Sequence, residues 1–486
     1  MMRTLMRVAT LLGLLVCDHV ASQTTVSTCD DLRDFVESGG GNFILENNVM
    51  CEQTITVGSG TTVIVDGRGY QMEIITPFLP SDPTDGSLFV SEDGADLTLL
   101  NIVFLDAGDG STGTSSNIRA VYNSGSLLVD SCTFSRLNQG AGTGASGGEG
   151  LYGGAIYTNG DHDGDAKVKI ANSVFESNTA IFKGGAICAE GSDPLEIDSC
   201  SFKLNEADYI RDLAVAKGGT IYAARGVPLT VSSSEFSDDS ATSAGSAIFM
   251  CGGTLADSSF RKHETYGEAY PNAAIFGAVA SGEKGGEECP PVTVTNCNFT
   301  ENVGGAMAVF EGDLIMKNVA FTDNGGGGLY FSSSSPSGRD ILELDTVFFV
   351  YNKDPPPKII LPTGQGTGVA AVIENTSEEE DSAPVGTFTN IFCFRNDPFE
   401  CEWVQENIVS RRDNFVCRPC DLQGVPGEFG DNISNDEASH YNSIILGLSI
   451  TLGVIVLLIT CLGMWKCRVK RSARRLMDDM RHDDNL

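Results

Sequence analysis

The chain has 486 residues, with 31 lysines and arginines against 65 aspartates and glutamates, and a formal net charge of −34. So large an acidic excess repels phosphate backbones and anionic lipid headgroups, which excludes nucleic acid as an expected partner. The same charge attracts divalent cations and basic partners, although a solvated acidic face without a specific ligand is the commoner arrangement.

Residues 1–22 predict a cleaved secretory signal. Arg3 and Arg7 precede the apolar run VATLLGLLV, and small residues directly before Gln23 mark the expected cut. This layout is typical of secretory signal peptides, and the apolar run is too short to span a bilayer. We therefore expect the region that follows to enter the secretory pathway.

Residues 23–51 predict an N-terminal cap for the structure that follows. The stretch CDDLRDFVESGGG, which begins at Cys29, has the spacing of a short amphipathic helix. Its apolar side chains on one face are Leu32, Phe35 and Val36. The next stretches, NFILENNVMC and TTVIVDGRG, predict the first strands. Cys29 and Cys51 are candidates for a disulfide that closes this cap.

Residues 52–397 contain two short motifs that alternate along the chain. The first is a strand that ends in phenylalanine, at Phe104, Phe134, Phe175, Phe202, Phe236, Phe260, Phe299, Phe321 and Phe348. Four of these are followed three residues later by an asparagine, at Asn178, Asn205, Asn302 and Asn324. The second motif is Gly-Gly-Ala-Ile or a variant, beginning at Gly153, Gly184, Gly218, Gly245, Gly304 and Gly326.

The spacing of these motifs predicts an all-β fold, a parallel β-helix with loop insertions. The shortest intervals between successive phenylalanines are 22, 24 and 27 residues, which suits one coil of such a solenoid. Equivalent residues then lie about 4.8 Å apart in adjacent strands. Phenylalanine is expected to form an inward column. The asparagine is expected to adopt the left-handed corner and to bond the asparagine of the next coil.

Residues 398–443 predict a cysteine-containing, membrane-proximal cap or stalk. Four cysteines crowd this region and the last predicted strand, and they are disulfide candidates: Cys393, Cys401, Cys417 and Cys420. Three N-glycosylation sequons fall on the outer side of the predicted topology, at Asn298, Asn375 and Asn432.

Residues 444–465 are apolar and uncharged over a length that suits a membrane-spanning helix. The basic cluster KCRVKRSARR follows, and the positive-inside rule places residues 466–486 in the cytoplasm as a short tail. We therefore expect a single-pass type I membrane protein at the plasma membrane or cell surface, with its N terminus outside.

The alternation of Gly-Gly-Ala-Ile with Phe-x-x-Asn, over roughly residues 100–350, resembles the repeats of chlamydial polymorphic outer-membrane proteins and of related repeat proteins in microbial eukaryotes. The resemblance implies a right-handed parallel β-helix of the pectate-lyase-like kind, displayed on a surface, commonly for adhesion. The departure lies near the C terminus, where this chain carries the predicted membrane helix with its basic flank.

Because β-helices also serve as polysaccharide-active enzymes, acidic pairs are candidates for catalysis. Asp238 and Asp239 suit the acid pair of glycoside hydrolysis, and His263 is a second, weaker candidate. However, Asp239 stands three residues after Phe236, where other repeats carry asparagine, and His263 has the same relation to Phe260. The sequence therefore favours a structural role for these residues.

Asp161, Asp163 and Asp165 are weak candidates for a calcium site. They alternate in the loop NGDHDGDAK, and carboxylate oxygens at this spacing suit Ca²⁺. The loop is not an EF-hand, because Ala166 stands where that loop needs glycine and Asn172 where it needs glutamate. A solvated turn is the favoured alternative, and no other cofactor is expected.

Three functions remain open from the sequence. The first is a cell-surface glycoprotein whose rod binds a glycan, a matrix component or a surface protein, as an adhesin does. The second is a membrane-tethered polysaccharide lyase or hydrolase, and the third is a structural coat component. An enzyme needs reactive residues on outward positions of adjacent coils, and the strong positions are instead typical of core or corner, which favours binding. A binder of anionic glycan needs basic or aromatic stripes, which so acidic a chain provides only locally.

Overall fold

The computed structural model describes residues 23–75, 86–106, 118–139, 152–160, 166–207, 216–265, 278–281, 289–303, 305–310, 312–325, 327–333, 341–350 and 352, and the strands 371–375, 385–394 and 409–418. These residues belong to one compact unit, Met1–Asp421. A second unit, Leu422–Leu486, lies outside the described residues, as do the predicted signal and the predicted membrane helix. No helix within the described ranges is long and apolar enough to cross a membrane.

In its described parts the protein is all-β, apart from one helix, α1 (Cys29–Glu37). The strands pair in parallel in three sheets, which we name A, B and C in order of size. Sheet A contains 23 described strands: β1 (Thr24–Val26), β2 (Gly41–Leu45), β3 (Val49–Cys51), β5 (Thr62–Asp66), β6 (Gln71–Ile74), β8 (Asp96–Leu100), β9 (Val103–Asp106), β11 (Ser126–Asp130), β12 (Thr133–Ser135), β15 (Val168–Ala171), β16 (Val174–Glu176), β19 (Leu195–Asp198), β20 (Ser201–Lys203), β23 (Leu229–Ser232), β24 (Glu235–Ser237), β27 (Gly253–Ala256), β28 (Ser259–Arg261), β31 (Val292–Thr295), β32 (Asn298–Thr300), β34 (Leu314–Thr322), β36 (Ile341–Val350), β38 (Val385–Phe394) and β39 (Val409–Arg418).

The other two sheets are smaller. Sheet B contains 11 described strands: β4 (Ile55–Val57), β7 (Ser87–Ser91), β10 (Arg119–Asn123), β14 (Ile156–Thr158), β18 (Ile187–Ala189), β22 (Ile221–Ala223), β26 (Ile248–Met250), β30 (Val279–Ser281), β33 (Met307–Phe310), β35 (Leu329–Ser333) and β37 (Ala371–Asn375). Sheet C contains five described two-residue strands: β13 (Asn138–Gln139), β17 (Thr179–Ala180), β21 (Glu206–Ala207), β25 (Ser240–Ala241) and β29 (Glu264–Thr265).

Each complete repeat visits the sheets in the same order. From β15 the chain passes through β16 in sheet A, β17 in sheet C and β18 in sheet B. It then returns to sheet A as β19, which pairs in parallel with β15. Large parallel sheets joined in this order are consistent with a β-helix or solenoid-like fold.

Sheet A bends at one residue of each repeat. The bend separates the paired short strands and lies inside the longer strands β34 and β36. The residue there has a φ between 49° and 59° in every case: Asn101, Ser131, Asn172, Ser199, Ser233, Asp257, Asn296, Asn318 and Thr346. Short polar side chains suit this left-handed conformation because they hydrogen-bond locally. Asn172 does so, donating through Nδ2 to Oδ1 of Asp130 at 2.8 Å.

The predicted phenylalanine column is present in the core. Its rings stack with centroids 4.6 to 5.1 Å apart, and all are almost wholly buried: Phe104, Phe134, Phe175, Phe202, Phe236, Phe260, Phe299, Phe321 and Phe349. The last member corrects the sequence prediction. Register pairs Phe321 with Phe349, so Phe348 lies one position away on the other face of the strand.

The left-handed corner lies one residue earlier than predicted. The residue two after each core phenylalanine has a φ between 55° and 59°: Arg136, Ser177, Leu204, Asp238, Lys262, Glu301 and Asp323. The asparagine that follows is buried and points inward. The fold uses the hydrogen-bonding side chain of this asparagine, and the left-handed backbone angle belongs to the residue before it.

The Gly-Gly pairs allow a close approach between backbones. At Gly184, where φ is 62°, an added Cβ would lie 2.0 Å from the carbonyl oxygen of Ile187. At Gly185 it would lie 2.1 Å from the carbonyl oxygen of Gly219 in the next repeat. No side chain fits at such distances beside Gly184 and Gly185, although the variant that begins at Gly245 has Ser246 at the second position.

Helix α1 covers the N-terminal end of the core. Thr28 caps it, with Oγ1 accepting a hydrogen bond from the backbone N–H of Asp31 at 3.1 Å. Leu32 and Val36 are buried as predicted, whereas Phe35 is 43% exposed. The predicted disulfide joins Cys29 to Cys51 and holds the helix against the first strands.

Other cysteines depart from what the sequence suggested. A second disulfide joins Cys251 to Cys289, a pair that the sequence did not single out. Among the cysteines whose side chains the structure describes, four are free and buried: Cys132, Cys188, Cys200 and Cys297. Register places Cys393 of β38 opposite Cys417 of β39, while Cys401 and Cys420 lie outside the described residues.

Candidate functional site

Sheet B carries a column of mostly aromatic residues on the side away from the phenylalanine column, and the rings of Tyr122, Tyr157, Tyr222 and Phe249 are almost wholly buried. Successive side chains of a strand point to opposite faces, so the isoleucine after each Gly-Gly-Ala enters the core and the next residue points outward. Register aligns these outward residues into one column: Val90, Tyr122, Tyr157, Cys188, Tyr222, Phe249, Ala280, Ala308 and Tyr330. Ring centroids lie 5.2 Å apart for Tyr122 and Tyr157, and 5.4 Å for Tyr222 and Phe249.

A second, shorter column beside it carries cations. Isolated bridges align Tyr152, Lys183, Lys217 and Ala244 in adjacent repeats. Lys183 Nζ lies 4.9 Å from the ring centroid of Tyr152 and 4.6 Å from that of Tyr222. Lys217 Nζ lies 4.6 Å from the ring centroid of Phe249. Each lysine is therefore positioned for a cation–π interaction. We name the surface of these two columns the aromatic face.

Polar groups join the aromatic face into a network. Glu190 accepts from Lys183 Nζ at 2.7 Å and from the hydroxyl of Tyr157 at 2.9 Å. Asn159 donates through Nδ2 to the hydroxyl of Tyr122 at 2.9 Å. Burial acts to lower the pKa of Lys183, but Tyr222 and Glu190 outweigh it and raise that pKa above its usual range. The ammonium group is therefore charged at any physiological pH.

Arg119 lies beneath the aromatic face and is fully buried. It donates through Nε to the carbonyl oxygen of Gly153 at 3.0 Å and through Nη2 to that of Tyr152 at 2.6 Å. Its guanidinium carbon lies 5.1 Å from the ring centroid of Tyr157. Burial lowers the pKa of Arg119 to about 10, so it remains a cation at neutral pH. Arg119 therefore contacts both columns, through the carbonyl oxygen of Tyr152 in one and the ring of Tyr157 in the other.

A ladder of buried asparagines runs beside the phenylalanine column. Each side chain accepts through Oδ1 from the amide group of the preceding one and donates through Nδ2 to a phenylalanine carbonyl oxygen, as Asn178 does to Phe134 at 3.0 Å. The amide-to-amide hydrogen bonds run from Asn178 to Asn205 at 3.0 Å, and from Asn302 to Asn324 and from Asn324 to Asn352 at 2.8 Å each. The ladder confirms the predicted bonding between equivalent asparagines.

The catalytic candidates Asp239 and His263 occupy two adjacent rungs of this ladder. Both side chains are 0% exposed, so neither is accessible to a substrate. Asn205 donates through Nδ2 to Asp239 Oδ1 at 3.1 Å, and the backbone N–H of Asp239 donates to His263 Nδ1 at 3.3 Å. Asp238 is exposed at the left-handed corner, so the two aspartates do not share one solvent-facing space.

The remaining site predictions lie partly outside the described residues. That holds for Asp161, Asp163 and Asp165, and for the sequon at Asn432. Asn298 is exposed on the outer face of β32, and Asn375 ends β37. Among the described residues no group of three acidic, cysteine or histidine side chains is arranged to hold a metal ion.

No family model matches the chain, and no curated protein is similar to it. The sequence did hold a signal for the aromatic face that motif reading missed. The residues directly after the six Gly-Gly-Ala-Ile variants are Tyr157, Cys188, Tyr222, Phe249, Ala308 and Tyr330. Comparing that position between repeats would have revealed the column.

Proposed function

We propose that the protein is a cell-surface, single-pass type I membrane glycoprotein whose outer region is a right-handed parallel β-helix that acts as a rigid binding or adhesion rod. The observation that carries the binding role is the partly exposed part of the aromatic face, formed by Tyr152, Lys183, Lys217 and Glu190. The signal, membrane helix, sequons and repeat resemblance of the sequence support the membrane placement and the handedness.

A glycan suits the chemistry of the aromatic face. The half-buried Tyr152 offers a sugar ring an apolar stacking surface with a hydroxyl at its edge. The buried Tyr157 packs against it and holds it in place. Lys183, Glu190 and Asn159 supply a cation, a carboxylate and an amide within the same network. Equivalent side chains recur about every 4.8 Å along the stack, which suits a polymer with a repeating unit.

The described residues favour binding over catalysis. Asp239 and His263 are enclosed in the ladder, and Asp238 stands alone at its corner. Asn298, a predicted glycan attachment point, lies on the outer face of sheet A. A glycan there would obstruct that part of sheet A.

The test is retention of the full-length protein on a panel of cell-wall and extracellular polysaccharides, with and without calcium, together with an assay for soluble fragments. We expect retention on one polymer class and no fragments. Tyr152→Ala should weaken retention by about tenfold, because the loss of one stacked ring costs on the order of 1 kcal/mol. Leu128→Ala, an exposed change on sheet A, is the matched control and should have no effect.

Two results would contradict the proposal. Release of soluble fragments would make the protein an enzyme. Retention that is equal for Tyr152→Ala and for the wild type would place the binding surface elsewhere.

A further inference from the structure

Two adjacent rungs of the ladder carry titratable groups where the other described rungs carry amides. The amides are Asn178, Asn205, Asn302, Asn324 and Asn352, and the exceptions are Asp239 and His263. All of these side chains are almost wholly buried. Asp239 and His263 are therefore shielded from water and have to make the hydrogen bonds that an asparagine amide makes at the other rungs.

Asp239 can take the acceptor role of an asparagine but not its donor role while ionised. Its Oδ1 accepts from the backbone N–H of Asn205 at 2.7 Å and from its Nδ2 at 3.1 Å. Its Oδ2 stands in place of the amide nitrogen that donates to a phenylalanine carbonyl at the other rungs, at 3.0 Å in Asn205. The hydroxyl of Thr220 is near enough to act against the raised pKa of Asp239, but no described donor makes a hydrogen bond of normal geometry to that oxygen. A proton on Oδ2 restores the missing donor.

His263 is held in its neutral form by its neighbours. Nδ1 accepts from the backbone N–H of Asp239, so the ring proton belongs on Nε2. Nε2 has no hydrogen-bond partner in the described part of the chain. His263 Nδ1 lies 3.7 Å from Asp239 Oδ2. With both side chains neutral, this contact is not an ion pair.

We infer that Asp239 and His263 form a proton-controlled joint in the ladder, both neutral in the folded protein, which makes the stability of the stack depend on pH. This inference does not rest on the binding role. The charged side chains on the elements packed around the joint are exposed or half-buried: Glu206, Asp238, Arg261, Lys262, Glu264 and Glu301. Solvent screens these charges, so protonation of Asp239 and His263 dominates the pH dependence of the stability.

The direction of the pH dependence follows from two pKa shifts. Burial raises the pKa of Asp239 to about 8, against hydrogen bonds from Asn205, and burial lowers the pKa of His263 to about 3. The unfolded values are about 3.9 and 6.5. The aspartate's contribution is complete below about pH 4 and is lost as the pH rises to about 8. The histidine's contribution is complete above about pH 6.5 and is lost as the pH falls to about 3.

Between about pH 4 and 6.5 the aspartate and the histidine change the stability in opposite directions, so their effects cancel. Between about pH 6.5 and 8 only the aspartate changes the stability. The wild type should therefore keep a constant contribution from the joint up to about pH 6.5. Above that, the unfolding equilibrium constant should rise by up to about tenfold per pH unit, because one proton leaves on unfolding.

The experiment is urea unfolding of the full-length protein in detergent from pH 4 to 9, followed by circular dichroism. Asp239→Asn should abolish the loss of stability above pH 6.5. His263→Asn should do the opposite and extend the loss down to about pH 4. Asp238→Asn changes the exposed neighbour and should reproduce the wild-type profile.

Equal pH profiles for the wild type and Asp239→Asn would overturn the inference. So would a profile in which His263→Asn, and not Asp239→Asn, removes the loss between pH 6.5 and 8, which an ionised Asp239 paired with a protonated His263 would produce. If Asp239→Asn does not fold, the infrared carbonyl band of a protonated carboxylic acid at pH 6 decides. This carbonyl band should be present in the wild type, and its absence would overturn the inference.

Discussion

The position two residues before each core phenylalanine shows how closely one residue's chemistry follows its place in the stack. In the six repeats from Phe134 to Phe299 cysteine and serine exchange there, with Cys200 followed by Ser234 in the next, whereas the other three repeats carry isoleucine or valine. Cys200 donates through Sγ to the carbonyl oxygen of Asp198 at 3.3 Å, and Ser234 donates through Oγ to that of Ser232 at 2.7 Å. Both side chains are buried. The site needs a small donor, and either residue supplies it.

We predict that Cys200→Ser changes the free energy of unfolding by less than about 1 kcal/mol, because the hydroxyl makes the same hydrogen bond. Burial raises the pKa of the Cys200 thiol to about 11, so the thiol is unreactive in the folded protein. Maleimide labelling should reach Cys132, Cys200 and Cys297 only after unfolding. Rapid labelling of the native protein would contradict the burial of these thiols.

At the scale of the element, columns of like residues hold the short strands together. A three-residue strand such as β20 contributes few hydrogen bonds, but its Phe202 stacks on Phe175 and Phe236 with centroids 5.0 and 4.6 Å apart. Burying such a ring contributes roughly 1.5–3 kcal/mol. The column therefore stabilises strands that would not form alone.

We predict that Phe202→Ala lowers the free energy of unfolding by about 3–5 kcal/mol, because it removes a buried ring and leaves a cavity between two others. Glu196→Ala, an exposed change on the adjacent strand β19, is the control and should cost less than about 0.5 kcal/mol. Urea unfolding of both variants measures the difference. A cost below about 1 kcal/mol for Phe202→Ala would show that the column is not a main source of stability.

Over the whole molecule, each repeat contacts mainly its neighbours. β15 pairs with β11 on one side and β19 on the other, and the same holds along the stack. In such an array stability is a sum of local terms, and the ends are its weakest part. Helix α1 and the Cys29–Cys51 disulfide protect the N-terminal end.

We predict that Cys29→Ser loosens the first strands and leaves the middle of the stack intact. The disulfide closes 22 residues, a loop whose constraint is worth about 3 kcal/mol. Hydrogen exchange should accelerate in β1 to β6 and stay slow in β20 and β24. Cys251→Ser, which opens the other disulfide, should have its effect near β26 instead. Uniform acceleration in both variants would mean that the stack unfolds as a single unit.

The sequence by itself determined what recurs within one repeat. The phenylalanine, the asparagine and the Gly-Gly pair each appear several times in the same order, so their spacing was sufficient to predict parallel β-strands stacked with core columns. The Cys29–Cys51 disulfide was also predictable, since both residues flank one short helix and its first strands.

Only the tertiary structure decided which residues meet between repeats. Register chose Phe349 over Phe348, and the fold joined Cys251 to Cys289. No repeated motif position in the sequence indicates either contact. Shared motif positions do align Tyr157 with Tyr222 and Asp239 with His263, but only the structure shows that these side chains are buried. Hydrogen bonding between strands sets the register, and that register brings the side chains together.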